Sequence, residues 1–273
     1  KMAPTVASTK TIGQIANVIK SGNYHNNINI NFNITGHAAD PNGLTAGRRD
    51  MVRKVFTYYE NVLGVNFTET AGSPANTLLF RDTDVNKAWS YVGPQAGSKT
   101  HVNIGANWNG GSTALNSYSW DTAIHEIGHA LGLEHTGHYD ASDADPVTWD
   151  DDSEFWNDTK MLSTMSYFKP NDNNGVLGST EHSTISGSNL NNATLMAADY
   201  YALMDAYGKP NGVDSHQGHT KIGRFTNISA AEDPVWNDMI NNITNCRYFY
   251  TDKAAGNTDT VSFSNFNDNQ VID

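Results

Sequence analysis

The chain has 273 residues, 38% of them hydrophobic, with 29 acidic side chains against 17 basic and a formal net charge of −12. That length supports one sizeable core and a smaller second unit, and that charge argues against nucleic acid or an anionic membrane surface as a partner. No apolar run approaches the ~18 residues of a membrane-spanning helix, and the single cysteine, Cys246, excludes an intrachain disulfide and reads as a buried small hydrophobe.

In chain order, residues 9–21 carry Ile12, Ile15, Ala16 and Ile19 at helical spacing, a short amphipathic helix that Gly22 ends. Residues 28–34 alternate Ile28, Ile30, Phe32 and Ile34 with asparagines, the period of a half-buried strand. After a Pro41-Asn42-Gly43 turn, residues 44–64 read as a long helix. Met51, Val52, Val55, Phe56, Tyr59 and Leu63 face inward, while Arg48, Arg49, Arg53 and Lys54 lie mostly outward as a solvated face. Residues 65–70, 77–81, 88–92 and 101–105 read as short strands broken by Gly72-Ser73-Pro74 and Gly93-Pro94.

Residues 137–160 hold Asp140, Asp143, Asp145, Asp150, Asp151, Asp152 and Asp158. A calcium loop and a solvated loop are both open readings; the spacing matches no D-x-[DN]-x-[DN]-G pattern, which favours the solvated loop. Residues 171–192 form a polar surface loop in which His182 has no evident partner. Residues 193–207 carry Leu195, Met196, Tyr200, Leu203 and Met204, a core helix ended by Gly208 and Pro210. Beyond Pro210 the periodicity disappears, and His216 and His219 lack a ligand-spaced partner. The expected division is residues 1–210 as one domain and 211–273 as a linker and the start of a second region.

The chemistry concentrates in residues 122–135, whose core is H-E-x-x-H-x-x-G-x-x-H: His125, Glu126, His129, Gly132 and His135. Histidines four apart project from one face of a helix, one turn apart. Gly132 can take a left-handed conformation that ends the helix and turns His135 back as a third nitrogen ligand. Three neutral nitrogens with an open position describe a catalytic zinc site rather than a closed structural one. Glu126 is placed to take a proton from water at the metal. An amphipathic helix with surface histidines would explain Ile124, Ile127 and Leu131 but not these five residues at these offsets.

About 30 residues further on stands Ser163-Thr164-Met165-Ser166-Tyr167. The long histidine motif followed by this Met-containing turn resembles the metzincin superfamily, and within it the serralysins, secreted bacterial proteases. The likeness extends through residues 135–140, the acidic loop and the helix at 193–208. Thr136 departs from it, standing where the family usually has Pro, and so does His138, where it usually has Asp. The resemblance implies an α/β (α+β) metzincin fold, with a twisted mixed five-stranded sheet, long helices and Met165 beneath the zinc. It implies that the strand at 101–105, the last before the histidine helix, is the sheet edge bordering the cleft. It also implies that Tyr167 ligates zinc at rest and swings away to hydrogen-bond the developing oxyanion.

Residues 256–266 resemble the entry to the calcium-binding β-roll of that family. This implies Ca²⁺ beside Zn²⁺, with Asp252, Gly256 and Asp259 as candidate ligands, although the glycine-rich repeats themselves do not follow. The opening Lys1-Met2-Ala3-Pro4 has no signal-peptide pattern, in keeping with the family's type I secretion to the extracellular space. Protein or peptide substrates, a proteinaceous inhibitor and a monomeric state complete what the resemblance implies. The competing reading is a binding module of a larger adhesin or toxin whose zinc is structural.

Overall fold

The computed structural model describes residues 9–170, 172, 190–210, 219, 221–223, 226–241, 246–251 and 260–262. Helix α1 (Ile12–Val18) starts at Thr11, whose hydroxyl accepts from the Gln14 amide while the Gln14 side chain accepts from the Thr11 amide. This reciprocal cap uses two donors that a helix start otherwise leaves unpaired.

Strand β1 (Asn29–Asn33) follows, with Ile30, Phe32 and the neighbouring Ile34 buried and the asparagines alternating with them. Helix α2 (Ala46–Val62) crosses the sheet behind it. Phe56 on α2 meets Phe32, Phe67 and Phe80 at ring-centre distances of 4.4, 4.3 and 5.7 Å, which fixes the helix on three strands at once. Those strands are β1, β2 (Asn66–Glu69) and β3 (Thr77–Arg81), joined by β4 (Ala88–Ser90) and β5 (Lys99–Ile104). The order is β2-β1-β3-β5-β4, parallel throughout except for β4, which runs antiparallel to β5. The fold is thus a mixed five-stranded α/β sheet of the expected kind.

Two expectations about this half are corrected. The family likeness puts the strand at 101–105 at the sheet edge; β5 is interior instead, and the edge is β4, because β4 doubles back antiparallel after the parallel run. Arg48 reads as an outward residue of α2 and is 1% exposed. Its guanidinium donates to the carbonyls of Ser112, Gly105 and Trp108 at 2.9, 3.2 and 2.7 Å. A planar five-donor fork can close a loop that presents several carbonyls, and that gain offsets burying the charge.

Helix α3 (Tyr118–Ala130) is capped by Ser117 and buried along nearly its whole length. A short helix α4 (Trp149–Asp152) lies in the acidic segment, and α5 (Ala197–Tyr207) ends at Gly208. Two short strands, β6 (Lys221–Gly223) and β7 (Thr260–Ser262), pair in parallel, and α6 (Pro234–Asn241) packs against α2. Ile228, Val235 and Trp236 join the same buried cluster as the sheet and α3. Among the described residues no helix is long and apolar enough to cross a membrane.

Candidate metal centre

Helix α3 ends where the sequence calls for a turn. Gly132 has φ +107°, and a Cβ there would lie 2.6 Å from both the Asn23 carbonyl oxygen and the Tyr24 ring. Only glycine meets both conditions. Tertiary partners then bind the freed carbonyls at the helix end. The Gly93 and Gly132 amides donate to the His129 carbonyl, both at 2.8 Å, and the Tyr207 hydroxyl donates to the Leu131 carbonyl at 2.8 Å.

This turn brings His135 back over the helix. The His135 Nε2 lies 3.0 Å from the His129 Nε2 and 3.3 Å from the His125 Nε2. Each ring is oriented from behind through Nδ1: His125 by the Thr164 carbonyl at 2.8 Å, His129 by the Leu133 carbonyl at 2.6 Å and His135 by the Tyr139 carbonyl at 2.8 Å. A carbonyl only accepts, so each Nδ1 must carry the proton and each Nε2 presents a bare lone pair.

Three lone pairs pointed at one spot repel one another unless a cation lies between them. Tetrahedral zinc, with bonds of about 2.0–2.1 Å, would separate its nitrogen ligands by about 3.3 Å. The donor set therefore fits zinc. Among the described residues these three form the group able to hold a metal ion. Burial pulls all three imidazoles below the usual range, with the neighbouring rings adding to the effect on His125 and His129, and His129 falls to about 3. They therefore stay neutral, as ligands must.

Glu126 is 6% exposed and lies on the same helix. Burial, with Asp140 adding to it, raises its carboxyl to about 8, and no hydrogen bond from the described residues opposes the shift. A bound dication would draw it back down. Tyr167 stands over His135 with ring centres 4.6 Å apart and is 6.0 Å from His125. Burial, Asp140 and Glu126 raise its phenol, keeping it a neutral hydrogen-bond donor. Met165 is fully buried under the histidines, and a Cβ at Gly128 would lie 3.1 Å from its sulfur, so the glycine in mid-helix leaves room for it.

The family model for Astacin, a peptidase family, matches residues 21–150. A serralysin from Photorhabdus sp. (strain Az29) is 26% identical over 255 residues, 89% of this chain and 47% of that protein. The metallopeptidase AprA of Pseudomonas marginalis is 27% identical over 227 residues, 78% of this chain and 43% of that protein. These likenesses support a metzincin metalloprotease. Serralysin C of Dickeya chrysanthemi is 31% identical over a shorter 170 residues, 57% of this chain and 28% of that protein. The chain spans about half the length of the first two relatives.

The structure brings His125, Glu126, His129, His135, Met165 and Tyr167 together. Asp252, Gly256 and Asp259 lie outside the described residues, as do His182 and His216.

Two carboxylates have roles that the sequence does not reveal. Asp199 on α5 accepts from the Ser163 hydroxyl at 2.5 Å, the Thr164 amide at 2.7 Å, the Thr164 hydroxyl at 2.9 Å and the Met196 amide at 2.9 Å. It thus fixes the residue whose carbonyl orients His125. Asp158 reads in sequence as part of a solvated acidic loop, and this is corrected: it is fully buried, because Thr136, Tyr139 and Ser166 supply hydroxyls to it. Burial raises both carboxyls to about 6. No local signal marks either one: Asp158 stands in an acidic segment, and Asp199 lies between Ala198 and Tyr200. His138, the other departure from the family, is 97% exposed and contacts Glu154.

Proposed function

We propose that the chain is a zinc-dependent endopeptidase. The observation that carries this is the convergence of three bare Nε2 atoms beside a buried glutamate that no hydrogen bond from the described residues occupies. His125, His129 and His135 would hold the ion. Bound there, zinc supplies Lewis acidity toward water and a peptide carbonyl. Glu126 takes the proton from the attacking water and delivers it to the leaving amine, so one carboxyl serves as base and then acid. Tyr167 donates its phenolic proton to the oxygen on which negative charge develops.

An extended peptide pairs along the edge strand β4, whose continuation touches the helix end through Gly93. Backbone pairing tolerates many sequences, so broad specificity follows.

The likeness to serralysins supports a secreted, extracellular protein released by type I secretion, acting as a monomer and open to a proteinaceous inhibitor. It also supports calcium at Asp252, Gly256 and Asp259, in a C-terminal region distinct from residues 1–210. A binding module with structural zinc has no use for an unbonded buried Glu126, and that weighs against it. The deciding experiment is Glu126→Gln, assayed on casein with zinc content measured alongside. Expected are full zinc occupancy and a rate lower by about 10²–10⁴; an undiminished rate would remove the mechanism.

A further inference from the structure

His135 and Tyr167 sit on different segments, one leaving the histidine helix and one following Met165, and no secondary structure joins them. Tyr139 spans the gap. Its carbonyl accepts from the His135 Nδ1 at 2.8 Å, its ring stacks on the His135 ring at 5.7 Å and 20°, and the same ring packs against the Tyr167 ring with centres 5.0 Å apart. Beneath it lies Asp158, which accepts from the Thr136 hydroxyl at 2.6 Å and the Tyr139 hydroxyl at 3.2 Å, and also from the Ser166 hydroxyl. Tyr139, Thr136, Asp158 and Ser166 are all buried, at 3%, 1%, 0% and 0% exposure. Thr136 is the residue found where serralysins usually have proline, so its hydroxyl bond to Asp158 belongs to this chain and not to that pattern.

We propose that Asp158 and Tyr139 are a positioning pair that couples the aim of His135 to the placement of Tyr167. The proposal rests on the endopeptidase reading for the role of Tyr167 but not for the hold on His135. A buried carboxylate that collects three hydroxyls has one low-energy arrangement, since any shift leaves a donor or acceptor unpaired in a dry site. The pair acts on His135 through the Tyr139 carbonyl and on Tyr167 through the contact of the two tyrosine rings, which the Tyr139 hydroxyl bond to Asp158 holds in place. Neither residue touches the reacting atoms.

The test uses the full chain and measures zinc affinity by chelator competition, kcat and KM on a peptide, and thermal unfolding. Asp158→Asn keeps the shape but cannot accept at both ends; zinc affinity is expected to fall about 10–100-fold, the usual effect of losing an outer partner of a metal ligand, with kcat falling as well. Tyr139→Phe keeps the carbonyl and the ring but loses the hydroxyl. Its zinc affinity stays near wild type while kcat falls and KM holds. Thr136→Val removes the hydroxyl beside His135 that contacts both Asp158 and the Tyr139 hydroxyl; it loses zinc affinity, and raising zinc restores its activity.

Wild-type affinity and kcat in both Asp158→Asn and Tyr139→Phe overturn the proposal. So does a Tyr139→Phe variant that loses zinc as heavily as Asp158→Asn, which would mean general loosening. If Asp158→Asn does not fold, the split between Tyr139→Phe and Thr136→Val decides. A wild-type chain that binds zinc but cleaves nothing would end the endopeptidase reading, while the zinc affinities would still judge the hold on His135.

Discussion

The two sides of the histidine cluster are built differently. On the helix side, His125 and His129 are placed by the pitch of α3, and the remaining requirements are a cap at Ser117 and a turn at Gly132. On the loop side, His135, Tyr167 and the Thr164 carbonyl sit on irregular backbone, held by two buried carboxylates brought from elsewhere in the chain. A helix transmits position through its own hydrogen bonds, whereas a loop must borrow it from side chains. The loop side should therefore be more sensitive to distant polar substitutions, and the helix side to backbone conformation.

The largest effect is expected on the loop side. Asp199→Ala leaves two hydroxyls and two amides without their acceptor in a fully buried site. The expected loss is about 3–5 kcal/mol of unfolding free energy, the scale of an uncompensated buried polar network, and zinc affinity should fall with it. Chemical denaturation of the metal-stripped chain, compared with the zinc-loaded one, measures both. On the helix side Gly132→Ala forces a side chain into φ +107° and against the Asn23 carbonyl. Strain alone contributes about 1–3 kcal/mol, and the displaced turn carries His135 away. Were Gly132→Ala to cost more than Asp199→Ala, the contrast between the two sides would be reversed.

That contrast also describes what could be read in advance. The helix side was legible because its signals are short-range: a four-residue offset, a glycine three further on, an apolar stripe. The sheet and α2 were legible for the same reason, from Ile30 and Phe32 in alternation and Phe56 and Tyr59 on one stripe. The loop side was not. Asp158 looked like the six other aspartates in the same segment, because nothing local distinguishes a carboxylate that will collect three hydroxyls from one facing water. Arg48 looked like Arg49 for the same reason; its carbonyl partners at Gly105, Trp108 and Ser112 are more than 50 residues away. β5 was misplaced as an edge because strand order is set by crossovers rather than by the strand's own residues.

Acid should act with opposite sign on the histidines and on the buried carboxyls, Glu126 on the helix side among them. His129 falls to about 3 in the fold against an ordinary 6.5. Above about 6.5 its neutral form is shared by both states; as pH drops toward about 3 the unfolded chain takes a proton that the folded site refuses, and stability is lost. Asp158 and Asp199 are raised from 3.8 to about 6, so between about 6 and about 4 the folded carboxyls gain protons first and stability rises as pH falls. The metal-stripped wild type should therefore melt only modestly lower at pH 5 than at pH 7.5. Asp158→Asn, with one opposing carboxyl gone, should lose more over the same interval. Equal losses in both would mean that the buried carboxylate is not opposing the histidines.

The smallest effect is expected where the two sides touch. Gly128 lies on α3 and Met165 on the turn beneath it, and an added Cβ would come to 3.1 Å from the sulfur. Alanine in a helix interior is favoured over glycine by about 1 kcal/mol, and a thioether on a flexible stem can yield by a few tenths of an ångström. The two effects are similar in size and opposite in sign, so Gly128→Ala should change the unfolding free energy by less than about 1 kcal/mol. Its consequence should appear instead in zinc affinity, because Met165 adjoins Thr164, whose carbonyl aims His125. A variant of unchanged stability and weakened zinc binding would place the junction of the two sides at this contact. Loss of stability without loss of zinc would place it elsewhere.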